Sequence, residues 1–180
     1  VLQHGLDFLQ QQSYELATDK QALASGRLNT LSFVLYVLDR ADQPNVSQTV
    51  QLYDSWQSLA LYARAYLAQT LYAIDPQDPR VKELENNLIN SASLSASGAH
   101  WQEDTVDYWN WNTNTRTTAI VLDTLIQIDP QNTLNANAVR WLMKNRVDGR
   151  WASTQETAWT LMALIDWVVE TGDLNASYQY

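Results

Sequence analysis

Apolar residues at helical spacing dominate the chain. Leu59–Ile74, Thr117–Ile128 and Trp159–Val169 each place apolar side chains at i, i+3 and i+4 intervals, which is the pattern of an α-helix. These segments are apolar nearly all round, as expected of helices that are packed on several sides. Alternation typical of strands is weak everywhere and hairpin dipeptides are absent, since the Asp148-Gly149 step joins a helix to a helix. The pattern therefore predicts an all-α chain.

The sequence also repeats itself. "AIDPQDPRVKELENNL" from Ala73 aligns with "QIDPQNTLNANAVRWL" from Gln127, and a fainter copy, "RADQP", closes a helix that starts near Asn29. Each unit holds an apolar helix, a turn stopped by proline, an amphipathic helix and a Gly-Trp loop. The loops are residues 98–101 and 149–151.

Such units bury their apolar faces only by stacking on neighbours. The amphipathic helices, predicted over residues 80–95 and 135–145, would cover an inner layer of apolar helices. At roughly 50 residues per pair, longer than a tetratricopeptide repeat, the units suit an α/α toroid better than an open superhelix. We predict a partial ring of about four helical hairpins forming a single domain over residues 1–180. Residues 41–55 would hold a short helix, and residues 91–114 the longest irregular segment.

Charge and composition narrow the function. Twenty acidic residues against eleven basic ones give a net charge of −9, which disfavours nucleic acids and anionic membranes as partners. No run of 18 apolar residues predicts a membrane span, and the first twelve residues do not have the pattern of a signal peptide. The absence of cysteine excludes disulfides, thiolate metal sites and a cysteine nucleophile within these residues. His4 and His100 stand in no cluster with metal-ligand spacing, so no metal or cofactor is expected.

Carboxylates and indoles near the third inner helix suggest one enzymatic reading. Glu103, Asp104 or Asp107 could pair with Glu156 at the mouth of a toroid, as glycosidases need two carboxyls about 5–10 Å apart. Three indoles beside them could stack on a sugar: Trp101, Trp109 and Trp111. This predicts a glycoside-processing enzyme as one alternative. A scaffold that binds peptides in its concave face is another.

Structural roles explain the same residues more simply. Ser153 or Thr154 would be the N-cap of the last helix, and Ser153-x-x-Glu156 has the spacing of a capping box. The tryptophans at loop-to-helix junctions would wedge between hairpins, with His100 hydrogen-bonded in its loop. Arg116 would stack on an indole or pair with an acid. We favour these roles, and treat Trp101, Glu103, Trp109, Trp111 and Arg116 as weak candidates for binding.

Two long motifs resemble a known family. "NAVRWLMKNRVDGRWASTQETAWTLMAL", residues 137–164, resembles the last helical pair of the thioester domain in the alpha-2-macroglobulin and complement family. "GAHWQED…YWNWNTNTRTTAIVLDTL", residues 98–125, looks like the bacterial form of the preceding loop and inner helix. The resemblance is clear over residues 58–169 and loose over residues 1–57.

The resemblance implies an α/α toroid of about six helical pairs. In that family an internal Cys-x-Glu-Gln thioester is exposed when a protease cleaves a bait region, and a nucleophile of the protease attacks it. This chain lacks cysteine, so the motif lies outside it or is lost in the parent. The resemblance implies a non-catalytic fragment of a bacterial protease inhibitor, with neighbouring domains and target proteases as partners. It also implies a periplasmic, cell-surface or secreted location. An incomplete ring would expose inner-helix surface and favour self-association.

Overall fold

The computed structural model describes residues 2–18, 27–105, 107 and 109–172. Over these residues the chain is mostly helical, which confirms the predicted all-α class. The helices are α1 (Leu2–Thr18), α2 (Arg27–Arg40), α3 (Val46–Tyr53), α4 (Leu61–Ile74), α5 (Pro79–Asn90), α6 (Asn114–Ile128), α7 (Thr133–Lys144) and α8 (Thr154–Thr171). A short 3₁₀ helix, Trp56–Ser58, precedes α4, and α3 lies where the sequence predicts a short helix.

Alternate helices form two layers. The helices α2, α4, α6 and α8 pack against one another in chain order, and this inner row holds the most extensive contacts of the fold. The helices α3, α5 and α7 lie outside it, each against its neighbours in the chain, while α1 packs on α2. Four helical hairpins therefore stand side by side. Closure of such hairpins into a toroid stays a prediction.

Burial is greatest in α4 and α6, the two central helices of the inner row. The prediction that Trp159–Val169 is packed on several sides is wrong, because α8 buries only Glu156, Thr160 and Ala163. Ten of the fourteen residues of α4 and twelve of the fifteen of α6 are buried. The outer helices bury only one stripe each: α5 buries Val81, Leu84, Glu85 and Leu88, and α7 buries Asn135, Ala138 and Leu142. A helix that is apolar all round is stable only when covered on several sides, and this places α4 and α6 at the centre of the core.

The repeated Ile-Asp-Pro-Gln turns start both outer helices in the same way. The Asp78 side chain caps α5 by accepting a hydrogen bond from the backbone N–H of Arg80, with Pro79 as the first helical residue. Asn132 caps α7 through the N–H of Leu134. These side chains satisfy backbone donors that the first turn of a helix leaves free. Each turn thus ends an inner helix and begins an outer one.

The all-α chain contains one short pair of strands that the weak alternation of its residues does not predict. Residues Ser93–Ser95 (β1) and Gly98–His100 (β2) form an antiparallel hairpin, and α5 ends at Asn90 and not near residue 95. Gly98 has φ 126°, and a Cβ there would lie 2.2 Å from the carbonyl oxygen of Asn137. The hairpin therefore packs directly on the backbone of α7, which only glycine permits.

The loop between α7 and α8 also contains a tight turn. Asp148 and Gly149 both have positive φ values, 51° and 77°, and Val147 and Arg150 exchange two backbone hydrogen bonds across them. Two left-handed central residues are typical of a two-residue hairpin turn. The step does join two helices, but through a miniature hairpin.

Both Gly-Trp loops anchor their indole in the same place. The Nε1–H of Trp101 donates to the carbonyl of Leu88 at 2.6 Å, and that of Trp151 to the carbonyl of Leu142 at 3.1 Å. Leu88 and Leu142 both lie near the end of an outer helix, where carbonyl groups lack helical partners. Each indole therefore closes one outer helix and leads the chain back to the inner row.

Two further observations concern membrane-spanning helices and the C-terminal residues. Among the described helices, none combines the length and the apolar character needed to cross a bilayer. The predicted exit segment, residues 174–180, lies outside the described residues.

Candidate functional site

The candidate residues gather at the end of the inner row where α4 and α6 begin. The described residues of the preceding loop, 101–105, 107 and 109–113, lie near these helix starts, and Glu103 binds the first turn of α4. Its carboxylate accepts hydrogen bonds from the backbone N–H of Leu61 at 2.9 Å and of Tyr62 at 3.2 Å. It also accepts one from the Thr117 hydroxyl at 2.9 Å. Because the N-cap residue Ala60 has no side-chain hydrogen bond to offer, Glu103 caps α4 from a distant loop.

Asp107 holds the same loop against α2 and α4. Its carboxylate accepts hydrogen bonds from the Tyr62 hydroxyl at 2.6 Å, the Asn29 amide at 3.3 Å and both nitrogen donors of Asn110. Burial alone would raise the pKa of Asp107, but these hydrogen bonds hold that pKa below its ordinary value. Burial, together with the hydrogen bond to Asp107, raises the pKa of Tyr62.

The third candidate carboxylate, Glu156, belongs to the start of α8. Ser153 is the N-cap and accepts a hydrogen bond from the Glu156 backbone N–H at 3.1 Å. The Glu156 side chain reaches back to the N–H of Ala152 at 3.0 Å, and Thr154 is the first residue of the helix. This is a capping box shifted by one residue from the usual form, in which the N-cap N–H is the donor.

The three carboxylates therefore all stabilise helix starts or the loop over them. A general acid must be free to give up a proton to a substrate, whereas Glu103 and Asp107 each accept three or more hydrogen bonds from the protein. Asp104, in contrast, is exposed. The contacts give no support to the glycoside-processing alternative.

A cavity of about 420 Å³ opens beside this loop. Five aromatic rings, two amide side chains and one guanidinium line it: Phe33, Tyr62, Trp109, Trp111, Trp159, Asn110, Gln155 and Arg116. Of the three indoles predicted to form a platform, Trp101 is completely buried elsewhere, while Trp109 is 76% and Trp111 78% exposed. The structure thus brings Trp109, Trp111 and Arg116 together and leaves Trp101 in the core.

Arg116 lies at the inner side of this cavity and is only 6% exposed. Its guanidinium carbon is 5.0 Å from the ring centre of Tyr62 and 5.8 Å from that of Trp159. One Nη donates to Asn112 at 2.9 Å and the other lies 3.4 Å from the Tyr66 hydroxyl. The side chain stacks on an indole, as predicted. The predicted ion pair between Arg116 and an acidic residue is not among the salt bridges found within the described residues.

A polar network in the inner wall escaped prediction from the sequence. Asp123 on α6 is buried and accepts a hydrogen bond from Gln69 on α4 at 3.0 Å, while Arg40 on α2 binds Gln69 and Gln127. Burial, and next the hydrogen bond and repulsion from the Asp166 carboxylate, raises the pKa of Asp123. A signal was available, because Gln69 and Asp123 are 54 residues apart, which is the repeat spacing.

Neither histidine is among the described residues that line this cavity. His100 stacks on Trp141 with ring centres 4.7 Å apart, but its buried Nδ1 does not make the predicted hydrogen bond in the loop. His4 is exposed on α1. Within the described part of the chain, no three His, Asp or Glu side chains are grouped so that they could hold a metal ion.

Comparison with models of protein families shows which family the chain belongs to. Residues 28–167 match the family model described as A-macroglobulin TED domain, where TED is the thioester domain. The chain belongs to this family. The match begins in α2 and ends within α8, so it extends the similarity to the TED domain from residue 58, where the clear resemblance begins, back to residue 28. No curated protein matches the chain.

Proposed function

We propose that this chain forms part of the wall of a thioester domain in a macroglobulin-type protease trap. The observation that carries the proposal is the TED match over residues 28–167, which covers seven of the eight described helices. Of the carboxylates that might have argued for an enzyme, Glu103 and Glu156 bind the starts of helices and Asp107 holds a loop. The chain itself would then be a non-catalytic part of an inhibitor.

In this proposal the electrophile lies elsewhere in the parent protein. The 180 residues contain no cysteine, so they cannot supply the thiol half of a Cys-x-Glu-Gln thioester. Cleavage of a bait region would expose the thioester, and a nucleophile on the protease would attack its carbonyl carbon, displacing the cysteine thiolate. The hairpins described here would hold the thioester region in a rigid frame.

Exposed apolar side chains support a role in contacts with neighbouring domains. One stripe of α8 is open to solvent over Leu161, Met162, Ile165 and Val169, each 46–63% exposed. Contiguous apolar surface of this kind marks a site for protein contact. The resemblance of residues 98–125 to the bacterial form of the domain supports a bacterial parent. A trap that meets foreign proteases would work outside the cytoplasm, so we infer a location in the periplasm, at the cell surface or outside the cell.

The test is covalent capture by the intact parent protein. Purified parent is incubated with trypsin, and the products are separated under denaturing, reducing conditions. We expect a conjugate larger than either protein, from which mass spectrometry recovers peptides of residues 28–167. Treatment of the parent with methylamine, a small amine that consumes thioesters, should abolish the conjugate. Trypsin cleavage without any conjugate, with or without methylamine, would contradict covalent trapping while leaving the family membership untouched.

A further inference from the structure

The aromatic cavity beside α6 and α8 has the character of a binding site for an anion. It holds about 420 Å³, within the range of small-molecule pockets, which are mainly apolar with a few fixed polar groups. Its walls are the rings of Phe33, Trp109, Trp111 and Trp159, and its charged group is Arg116.

Arg116 is the unusual member of this cavity. It is 94% buried, since only 6% of it is exposed, and its Nε–H has no acceptor. The acceptors of its Nη groups, Asn112 and Tyr66, are neutral. A buried guanidinium is ordinarily paired with a carboxylate or phosphate, because desolvating an unpaired charge is costly. The stacked rings of Tyr62 and Trp159 compensate only part of that cost.

The shape and the charge together specify a ligand class. Two indoles, Trp109 and Trp111, stand exposed at the rim, where flat apolar groups stack favourably. A guanidinium binds a carboxylate through paired N–H donors, and the guanidinium of Arg116, whose present acceptors are both neutral, lines the cavity. Among the described residues that line the cavity, Arg116 is the only charged one. We propose that the cavity binds a carboxylate carried on a flat apolar group, with Arg116 pairing the carboxylate and the indoles enclosing the apolar part.

This site is independent of protease trapping and is tested on the chain itself. The probes are phenylacetate and its neutral isostere phenylacetamide, followed by ligand-observed NMR and calorimetry. We expect saturable binding of phenylacetate, at least about tenfold tighter than that of phenylacetamide, because a hydrogen bond to a charged group accounts for about that factor. Equal binding of the two probes, or no saturable binding of phenylacetate, would overturn the proposal.

Variants assign the binding to the named residues. Arg116→Gln should weaken phenylacetate about tenfold or more. Arg146→Gln is the matched control, since that guanidinium also lies over an indole, Trp151 at 5.8 Å, but outside this cavity. Trp111→Ala removes an exposed side chain and should leave the fold intact, so it keeps the test decisive if Arg116→Gln unfolds. Retention of full affinity by Trp111→Ala would refute the site.

A second pair of probes identifies the source of the carboxylate. A tripeptide that ends in a free phenylalanine carboxylate is compared with its amidated form. Tighter binding of the free peptide than of phenylacetate, again dependent on Arg116, would assign the site to a polypeptide C-terminus. Binding of phenylacetate alone would assign it to a small free acid.

Discussion

Three carboxylates of this chain stabilise the starts of helices or the loop that lies over them. Glu103 accepts backbone hydrogen bonds at the start of α4, Asp107 holds the loop above α4, and Glu156 accepts a backbone hydrogen bond at the start of α8. In each case a carboxylate accepts N–H or O–H donors that would otherwise be unsatisfied. The residues that first suggest catalysis therefore lend themselves to measurements of stability.

Replacement of Glu103 by alanine should destabilise the fold. The change removes the acceptor for the N–H groups of Leu61 and Tyr62 and for the Thr117 hydroxyl, and loss of such a cap costs about 1–3 kcal/mol. Urea denaturation followed by circular dichroism measures the change. For Asp104→Ala, at the exposed neighbouring residue, the free energy of unfolding should stay within about 0.5 kcal/mol of that of the unsubstituted chain. A Glu103 variant as stable as the Asp104 variant would show that the cap is not needed.

Asp123 should make stability depend on pH near neutrality. Its pKa in the fold is raised to about 7, so the folded chain binds a proton that the unfolded carboxyl has already lost. The resulting stabilisation is complete below the unfolded pKa and is lost as the pH rises through about 7. Asp107, whose pKa is lowered, acts in the opposite sense, and only in more acidic solution.

The variant Asp123→Asn isolates this effect. Its neutral amide keeps the shape and can still accept the hydrogen bond from Gln69 but cannot ionise beside Asp166. As the pH rises from 5 to 8, the free energy of unfolding of the unsubstituted chain should fall by on the order of 2 kcal/mol more than that of the variant. Urea titrations at both pH values measure the difference. Parallel pH profiles for the two proteins would rule out ionisation of Asp123 as the cause.

At the scale of elements, the hairpin between α5 and α6 depends on one glycine. A methyl group at Gly98 would meet backbone atoms of Asn137 and Trp141, and backbone cannot move aside as a flexible side chain can. We expect Gly98→Ala to destabilise the chain by about 2 kcal/mol or more, because overpacking adds to an unfavourable positive φ.

Gly5 provides the control for that substitution. It lies within α1 with no atom within 4 Å of the added methyl group, so Gly5→Ala should stabilise the helix by about 0.5–1 kcal/mol. The two variants differ from the parent by the same methyl group and are compared by thermal unfolding. Equal effects from both would mean that the contact with α7 is not as close as described.

Elements with strong local signals were predictable, and those fixed by distant contacts were not. The helices α4 and α6 follow from apolar spacing, and the turns at Asp75 and Asp129 follow from proline and the repeat. The hairpin β1–β2 has strands of three residues, too short for alternation to register. Glu103 caps a helix 42 residues away, and no local pattern announces such a partner. The same holds for the cavity at Arg116, which needs α2, α4, α6 and α8 together.

At the scale of the whole molecule, the open face of α8 should cause self-association. Its exposed stripe includes Ile165 and Val169, and apolar surface of this kind drives proteins together. Sedimentation velocity should show a mass that rises with concentration. Ile165→Glu with Val169→Glu should return the chain to a monomer, whereas Leu94→Glu, at an equally exposed position on β1, should not. If the unsubstituted chain stays monomeric at high concentration, the prediction of self-association is wrong.

The layered order of the hairpins underlies both the family assignment and the site. It makes α4 and α6 the last parts of the chain to open, because ten of the fourteen residues of α4 and twelve of the fifteen of α6 are buried. The outer helices α5 and α7 bury a single stripe and can open locally at lower free energy.

Amide hydrogen exchange, resolved by peptide and mass spectrometry, tests this order most directly. We predict the slowest exchange in peptides from Leu61–Ile74 and Asn114–Ile128, at the rate of global unfolding. Peptides from Pro79–Asn90 and Thr133–Lys144 should exchange measurably faster. Outer helices that exchange as slowly as the inner pair, or inner helices that exchange first, would contradict the two-layer account.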